Sequence, residues 1–331
     1  MKMIQFERFG RASEVLACLE APEPAPPGPG EVAIRMLRAP INPSDLLLTT
    51  GRYGAAPPPL PYAMGREGVG RIVAVGPGVQ TRKVGDLVIP IQAPTWQTML
   101  VRRAEGLIPL PADVDIDQAA MLKANPATAA LMLRDIVALA PGDWVIQNAA
   151  NSAVGTYLAR LAARAGIGTL NLVRRKEAGA HLEGVAGAVV IVHDGGPSES
   201  LLAQVREATG GAPVKLAIDA IGGPATEALA RCVCEGATIA SYGLLSGKPC
   251  EIDPAHLIFR LVTLRGFWVS KWLENARPEA IQALYAELAG RLVDGTLSVE
   301  IAGRYPFERI SEAAAHAEQE SRGGKVLIGP A

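Results

Sequence analysis

The stretch WVIQNAANSAVG, residues 144–155, decides the fold. Its first four residues form a short apolar strand. The rest are small or polar and suit a tight turn. Val154, Tyr157, Leu158, Leu161, Ala162 and Ala165 then recur at helical spacing and define one face of a helix. A strand, a tight turn and a helix N-terminus together make an anion site, because unpaired backbone N–H groups and the positive end of the helix dipole face one point. The turn residues are Asn151, Ser152, Ala153, Val154 and Gly155, and the full GxGxxG pattern is not present. Taken alone, the stretch therefore fits a plain core turn as well as a dinucleotide cradle.

The downstream sequence favours the cradle. Strands are expected at 169–173, 188–192, 216–220, 238–242 and 263–269, with helices at 198–209 and 224–232 between them. Ser198 is a suitable N-cap for the first helix, and Pro224 opens the second. This alternation predicts an α/β chain with a doubly wound parallel sheet. The strand 169–173 runs into Arg174 and Arg175. An NAD site normally has an acidic residue about 20 residues on, to bond the ribose 2′-hydroxyl. Cations there suit a 2′-phosphate, which arginine binds through its planar fork. The expected cofactor is NADPH.

Upstream the character changes. Up to about residue 110 the chain is rich in Pro and Gly, with strands expected at 31–37, 70–75, 87–91 and 98–102 and a loop at 22–30. This reads as a β-rich domain of barrel type. Residues 118–139 are expected to be mostly helical with a break at Pro126. After 270, helices at 278–293 and 310–319 and a strand at 325–328 carry no nucleotide motif. The expected domains are 1–120, 121–270 and a tail, 271–331, that returns to the first.

Composition excludes several classes. The 331 residues carry 32 Lys plus Arg and 33 Asp plus Glu, a net charge of -1, which speaks against nucleic-acid and membrane-surface binding. Hydrophobic residues make up 49% and charged residues 20%, as in a folded chain. No apolar run approaches the ~18 residues of a membrane span, and residues 1–9 do not read as a targeting segment. Cys18, Cys232, Cys234 and Cys250 fit neither a disulfide framework nor a zinc motif, so buried free thiols in the cytoplasm are expected. His181, His193, His256 and His316 show no paired ligand spacing. Residues 243–249, GLLSGKP, fail as a P-loop, because the glycines are too close and Pro249 replaces the Ser or Thr.

Six segments occur together in order: PINPSD at 40–45, GREGV at 65–69, NPATA at 125–129, QNAANSAVG at 147–155, SYG at 241–243 and LRGFWVSKW at 264–272. In this combination the chain resembles the zinc-independent medium-chain dehydrogenase/reductases, and within them the 2-enoyl thioester reductases of the mitochondrial trans-2-enoyl-CoA/ACP type. The resemblance covers essentially the whole chain. It implies a GroES-like, β-rich catalytic domain, a Rossmann cofactor domain, an active site in the cleft between them and a homodimer. It also implies NADPH-dependent reduction of an α,β-unsaturated acyl-CoA or acyl carrier protein thioester. The quinone oxidoreductases, acting on quinones or small enones, are the second relatives. A non-catalytic nucleotide- or RNA-binding role is a third reading, disfavoured by the near-neutral charge and the retained Tyr53.

By that resemblance Tyr53 is the catalytic residue, its phenol bonding the thioester carbonyl and stabilising the enolate. Asn42, Tyr242, Gly243, Phe267, Trp268, Val269 and Lys325 fall at cofactor positions, and Trp268 and Trp272 at the substrate wall. Ser44 and Asp45 either shape the pocket or cap a helix. The zinc-dependent relatives' histidine is replaced by Arg66, beside Glu67, and the structural cysteines are absent, so no metal is expected. Arg66 and Lys123 depart from the enoyl reductase pattern. Arg66 either pairs with Glu67 or binds an anionic substrate group, and both residues point to a changed substrate pocket.

Overall fold

A computed structural model describes residues 1–54, 56–320 and 322–330. The chain forms two compact units, Met1–Ala124 with Arg277–Ala331, and Asn125–Ala276.

The second unit is built on a parallel six-stranded sheet. In spatial order its strands are Ala188–Val192, Gly168–Val173, Trp144–Gln147, Val214–Asp219, Thr238–Ser241 and Thr263–Gly266. Neighbouring strands are joined through helices, as parallel pairing requires. The helix Ala153–Arg164 buries Val154, Tyr157, Leu158 and Ala162. Gly155, Thr156 and Ala159 are buried too, whereas Leu161 is half-buried and Ala165 exposed, so the helix is buried on every side at its start and emerges at its end. Ile146, Leu170, Leu172, Ile218 and Ile239 are fully or almost fully buried in the sheet. Ser198 caps the helix Glu199–Thr209 by accepting the Leu201 N–H. The strand expected at 263–269 stops at Gly266, and Val269–Asn275 is a helix with Trp268 at its N-cap.

The first unit is mostly antiparallel. The long strand Glu31–Pro40 pairs with Val69–Val75 and Met99–Arg103, and its end pairs with Lys325–Gly329. The last strand also runs parallel to Ile301–Pro306, so the C-terminal segment completes this sheet. A smaller sheet joins Lys2–Phe6 to Ala17–Glu20 and Tyr62–Ala63. Pro43–Thr49 is a helix. The helix expected over 118–139 is two pieces, Ile116–Ala119 and Asn125–Asp135, with turns between. The short pieces Ala12–Val15, Leu107–Pro109 and Ile301–Pro306 carry no sequence signal of their own and form by packing. Among the described residues no helix is long and apolar enough to cross a membrane. All four cysteines are free thiols, but only Cys232 is buried; Cys18 and Cys234 are half-buried, and Cys250 is exposed in the loop between Thr238–Ser241 and the helix Pro254–Phe259.

Candidate active site

In the second unit the turn at 148–152 is fixed from below by buried polar side chains. The Gln147 amide donates to the Gly155 carbonyl at 2.9 Å and to Asn171 Oδ1 at 2.7 Å, tying the first helical turn to two strands. Asn148 donates to Asp219 Oδ1 at 2.7 Å and accepts the Ala220 N–H at 2.8 Å. Asp219 also accepts from Ile221 N, Gly222 N and the Thr226 hydroxyl, so this fully buried carboxylate is completely satisfied. The strand ends that would face a dinucleotide are thereby held rigidly.

Ser152 caps the helix Ala153–Arg164 by accepting the Gly155 N–H at 3.1 Å. Gly155 is buried, and a Cβ on it would lie 2.5 Å from the Ala150 carbonyl oxygen. The glycine that survives in the turn is therefore the one the helix needs to sit close on the strand. Asn151 is exposed at the mouth of the turn, Ala153 is half-buried and Val154 is buried. Arg174 and Arg175 are exposed just past Gly168–Val173. Tyr242 follows Thr238–Ser241 and donates its N–H to the Asp219 carbonyl at 2.9 Å. Its phenol bonds Ser152, and burial pushes it up to about 12. Gly243 follows it. The Phe267 N–H is already taken by the Ser241 carbonyl at 2.8 Å, so that group is spent on the sheet edge. Trp268 is exposed, and Val269 and Trp272 are half-buried on the helix that follows.

The first unit holds a buried charged cluster that sequence reasoning sees only in part. Asn42 is the N-cap of Pro43–Thr49, and its N–H donates to Asp45 Oδ2 at 2.8 Å, so capping is the role the structure gives Asp45. The Asn42 amide donates to Glu67 Oε1 at 2.6 Å, and its oxygen accepts from the Lys325 ammonium. Glu67 Oε2 accepts the Ala124 N–H at 2.8 Å. Lys123 donates to the carbonyls of Arg66 and Ile91, and Tyr285 donates to the Lys123 carbonyl at 2.8 Å. Lys123 is thus a clamp on two backbone segments, which accounts for its departure from an apolar residue.

Desolvation sets the titration of this cluster. It pushes Glu67 up to about 7 and Asp45 up to about 6. It holds Lys123 and Lys325 down at about 8, with Glu67 acting in the opposite sense on both. The signal in sequence was charge in places where apolar residues belong. Asp45 precedes three leucines, Glu67 sits between glycines, and Lys325 opens an apolar strand.

Arg66 does not pair with Glu67, whose oxygens are occupied. Its guanidinium lies over the Tyr53 ring, 5.2 Å from the centroid. Tyr53 is half-buried and packs against the core that contains Phe6, Leu48 and Trp96. Among the described residues no three His, Cys, Asp or Glu side chains gather as a metal site. His181, His256 and His316 are hydrogen-bonded to Thr156, Glu227 and Tyr305.

The geometry of two units, one with a parallel sheet and one β-rich, agrees with two family matches. Residues 28–105 match the alcohol dehydrogenase GroES-like domain and residues 153–286 match the zinc-binding dehydrogenase domain. The mitochondrial enoyl-[acyl-carrier-protein] reductase of Mus musculus is 36% identical over 290 residues, covering 86% of this chain and 76% of the relative. The mitochondrial 2-enoyl thioester reductase Etr1p/Etr2p heterodimer of Candida tropicalis has the same fold at a TM-score of 0.86 and 27% identity, over 99% of both chains. Etr1p is also known as a complex with NADP and crotonyl-CoA, at the same TM-score of 0.86. A mycobacterial quinone oxidoreductase superposes at a TM-score of 0.85 with 26% identity over 100% of both chains. Identity of this extent, over most of the chain, places this protein in the enoyl-[acyl-carrier-protein] reductase family of the medium-chain dehydrogenase/reductases.

Proposed function

We propose that this protein reduces the carbon–carbon double bond of 2-enoyl thioesters, carried on CoA or acyl carrier protein, with NADPH. The observation that carries the reading is the 36% identity to an enoyl-[acyl-carrier-protein] reductase over 86% of the chain. The residues present fit the cofactor. The capped N-terminus of Ala153–Arg164, with Asn151 to Gly155 around it, would hold the pyrophosphate, and Arg174 and Arg175 would hold the 2′-phosphate. When bound, NADPH supplies the hydride that the β-carbon receives.

The protein's own part is electrostatic. As hydride arrives, negative charge collects on the thioester oxygen. Tyr53 donates a hydrogen bond to that oxygen while keeping its proton, and the α-carbon of the enolate then takes a proton that comes from solvent. The Tyr53 ring is steadied by packing against the core and by the Arg66 guanidinium over it. Trp268 and Trp272 line the acyl chain in this reading, and Phe267, Trp268, Val269, Tyr242 and Gly243 border the nicotinamide. Asn42 and Lys325 are the first unit's cofactor-binding residues in this reading, and each is held in the buried cluster with Glu67. NADPH oxidation by crotonyl-CoA tests the activity.

The working form is a homodimer in the cytoplasm. Thr263–Gly266 is an edge strand of the second unit's sheet. The segment before it exposes Ile258 at 61%, Phe259 at 78% and Leu261 at 63%. An open edge beside such an apolar patch supports pairing with a second copy. The free thiols support a reducing compartment.

A further inference from the structure

Arg66 carries a charge that acts on the buried Asp45 carboxyl through space but that no hydrogen bond or ion pair among the described residues answers. Its backbone carbonyl is held by the Lys123 ammonium. Its guanidinium forms no hydrogen bond and no ion pair among the described residues, and its contact is the Tyr53 ring at 5.2 Å. Glu67 is committed to Asn42 and Ala124, and Asp45 gives Oδ2 to the Asn42 N–H while its buried Oδ1 accepts no hydrogen bond, from Arg66 or any other described residue. A half-buried arginine normally spends its five donors on an acceptor, since losing water without a partner is costly.

The cation stands on a rigid base. Gly65 has φ +101, and a Cβ there would lie 2.3 Å from Trp96 N. Thr95 donates its N–H to the Gly65 carbonyl at 3.1 Å and its hydroxyl to the Glu67 carbonyl at 2.7 Å. Lys123 joins Arg66 to the Ile91 segment. A guanidinium held over an aromatic ring keeps its in-plane N–H fork for a planar anion such as a carboxylate.

We propose that Arg66 binds a carboxylate on the acyl chain of the substrate and selects 2-enoyl thioesters that bear a second carboxylate close to the double bond. The proposal rests on the reading of Tyr53 as the partner of the thioester carbonyl. An anion that meets Arg66 must then lie a few bonds from that carbonyl. The phosphates of CoA do not meet this condition, because the whole pantetheine arm separates them from the thioester. A carboxylate on the acyl side does. Left unpaired, it would repel the hydride that arrives at the β-carbon, and the Arg66 charge cancels that repulsion. The balance of the reaction is unchanged. The β-carbon gains the hydride that NADPH loses in becoming NADP⁺, the α-carbon gains a proton from solvent, and the carboxylate is untouched.

The test compares kcat/KM for glutaconyl-CoA, which carries the second carboxylate, with that for 2-hexenoyl-CoA, which does not. Crotonyl-CoA serves as the reference, and wild type, Arg66→Gln and Arg66→Lys are measured. The expected glutaconyl-to-hexenoyl ratio is on the order of 10- to 100-fold in wild type, the range for one charge-assisted pair. It falls to about one in Arg66→Gln, chiefly through KM, and stays well above one in Arg66→Lys. Because the readout is a ratio, a loss of folded enzyme does not imitate the effect. A wild-type ratio near one overturns the proposal. So does a ratio that survives Arg66→Gln while both rates fall together, which would make Arg66 a partner of Tyr53 for every substrate. Failure of wild type to turn over crotonyl-CoA contradicts the thioester reductase reading itself, and is separately visible.

Discussion

The Asn42 amide donates to the Glu67 carboxylate at 2.6 Å, with both side chains buried. The same amide's oxygen accepts from Lys325, which arrives from the last strand of the chain. A carboxylate and an amide 25 residues apart thus share one dry site with an ammonium 283 residues beyond the amide. Removing one member leaves another charge uncompensated. Lys325→Met should cost about 3–5 kcal/mol, measured by denaturant unfolding. Adding Glu67→Gln to it should return a large part of that loss, because the stranded carboxylate disappears. Equal stability of the single and double variants would contradict this coupling.

The cluster also predicts a pH dependence. Burial pushes the Glu67 carboxyl from 4.5 up to about 7. The folded chain therefore holds this proton more tightly than the unfolded chain. The stability this contributes is complete below about 4.5 and is lost as pH rises through about 7. In unfolding experiments between these limits, Glu67→Gln should show a shallower fall in stability with rising pH than wild type. An unchanged slope would remove Glu67 from the account.

The turn at 151–155 gives a paired prediction. A Cβ on Gly155 meets the Ala150 carbonyl oxygen at 2.5 Å, so Gly155→Ala must push the helix off the strand. Overpacking of this kind costs about 1–3 kcal/mol. Ser152→Ala removes a cap, worth about 1 kcal/mol, and the partner of the Tyr242 phenol, but forces no backbone to move. Thermal unfolding and NADPH titration should both rank Gly155→Ala as the more damaging variant.

Arg174 and Arg175 make the cofactor preference testable. A charge-assisted hydrogen bond contributes about 1.5–3 kcal/mol, so Arg174→Gln with Arg175→Gln should lower the NADPH-to-NADH ratio of kcat/KM by at least ~10-fold. NADH kinetics should change little. A ratio that stays put would mean the 2′-phosphate is held elsewhere.

Much of this was legible in the sequence. Trp144–Gln147 and Ala153–Arg164 declare themselves by an apolar run and a clean helical period, and their small-residue turn locates the cradle. Short pieces such as Ala12–Val15 and Ile301–Pro306 did not, because packing rather than propensity holds them. The helix at Val269 was hidden by the β-branched and aromatic residues around it, which read as strand. Arg66 and Lys123 stood out as misplaced charges, but their partners did not. Only the folded chain shows that one clamps two carbonyls and the other covers Tyr53. Gln147, Asn148, Asn171 and Asp219 were missed, since buried polar residues in strands look like ordinary surface residues until the sheet is assembled.

Thioester reduction assisted by Tyr53 is best checked by NADPH consumption with crotonyl-CoA, a simple quinone and a small enone, for wild type and Tyr53→Phe. Turnover of crotonyl-CoA should stand well above that of the other two. Tyr53→Phe should lose ~10²–10³ in kcat, the usual cost of removing one oxyanion donor, with NADPH affinity nearly unchanged. Turnover of the quinone or enone alone, or a Tyr53→Phe enzyme as fast as wild type on crotonyl-CoA, would contradict it.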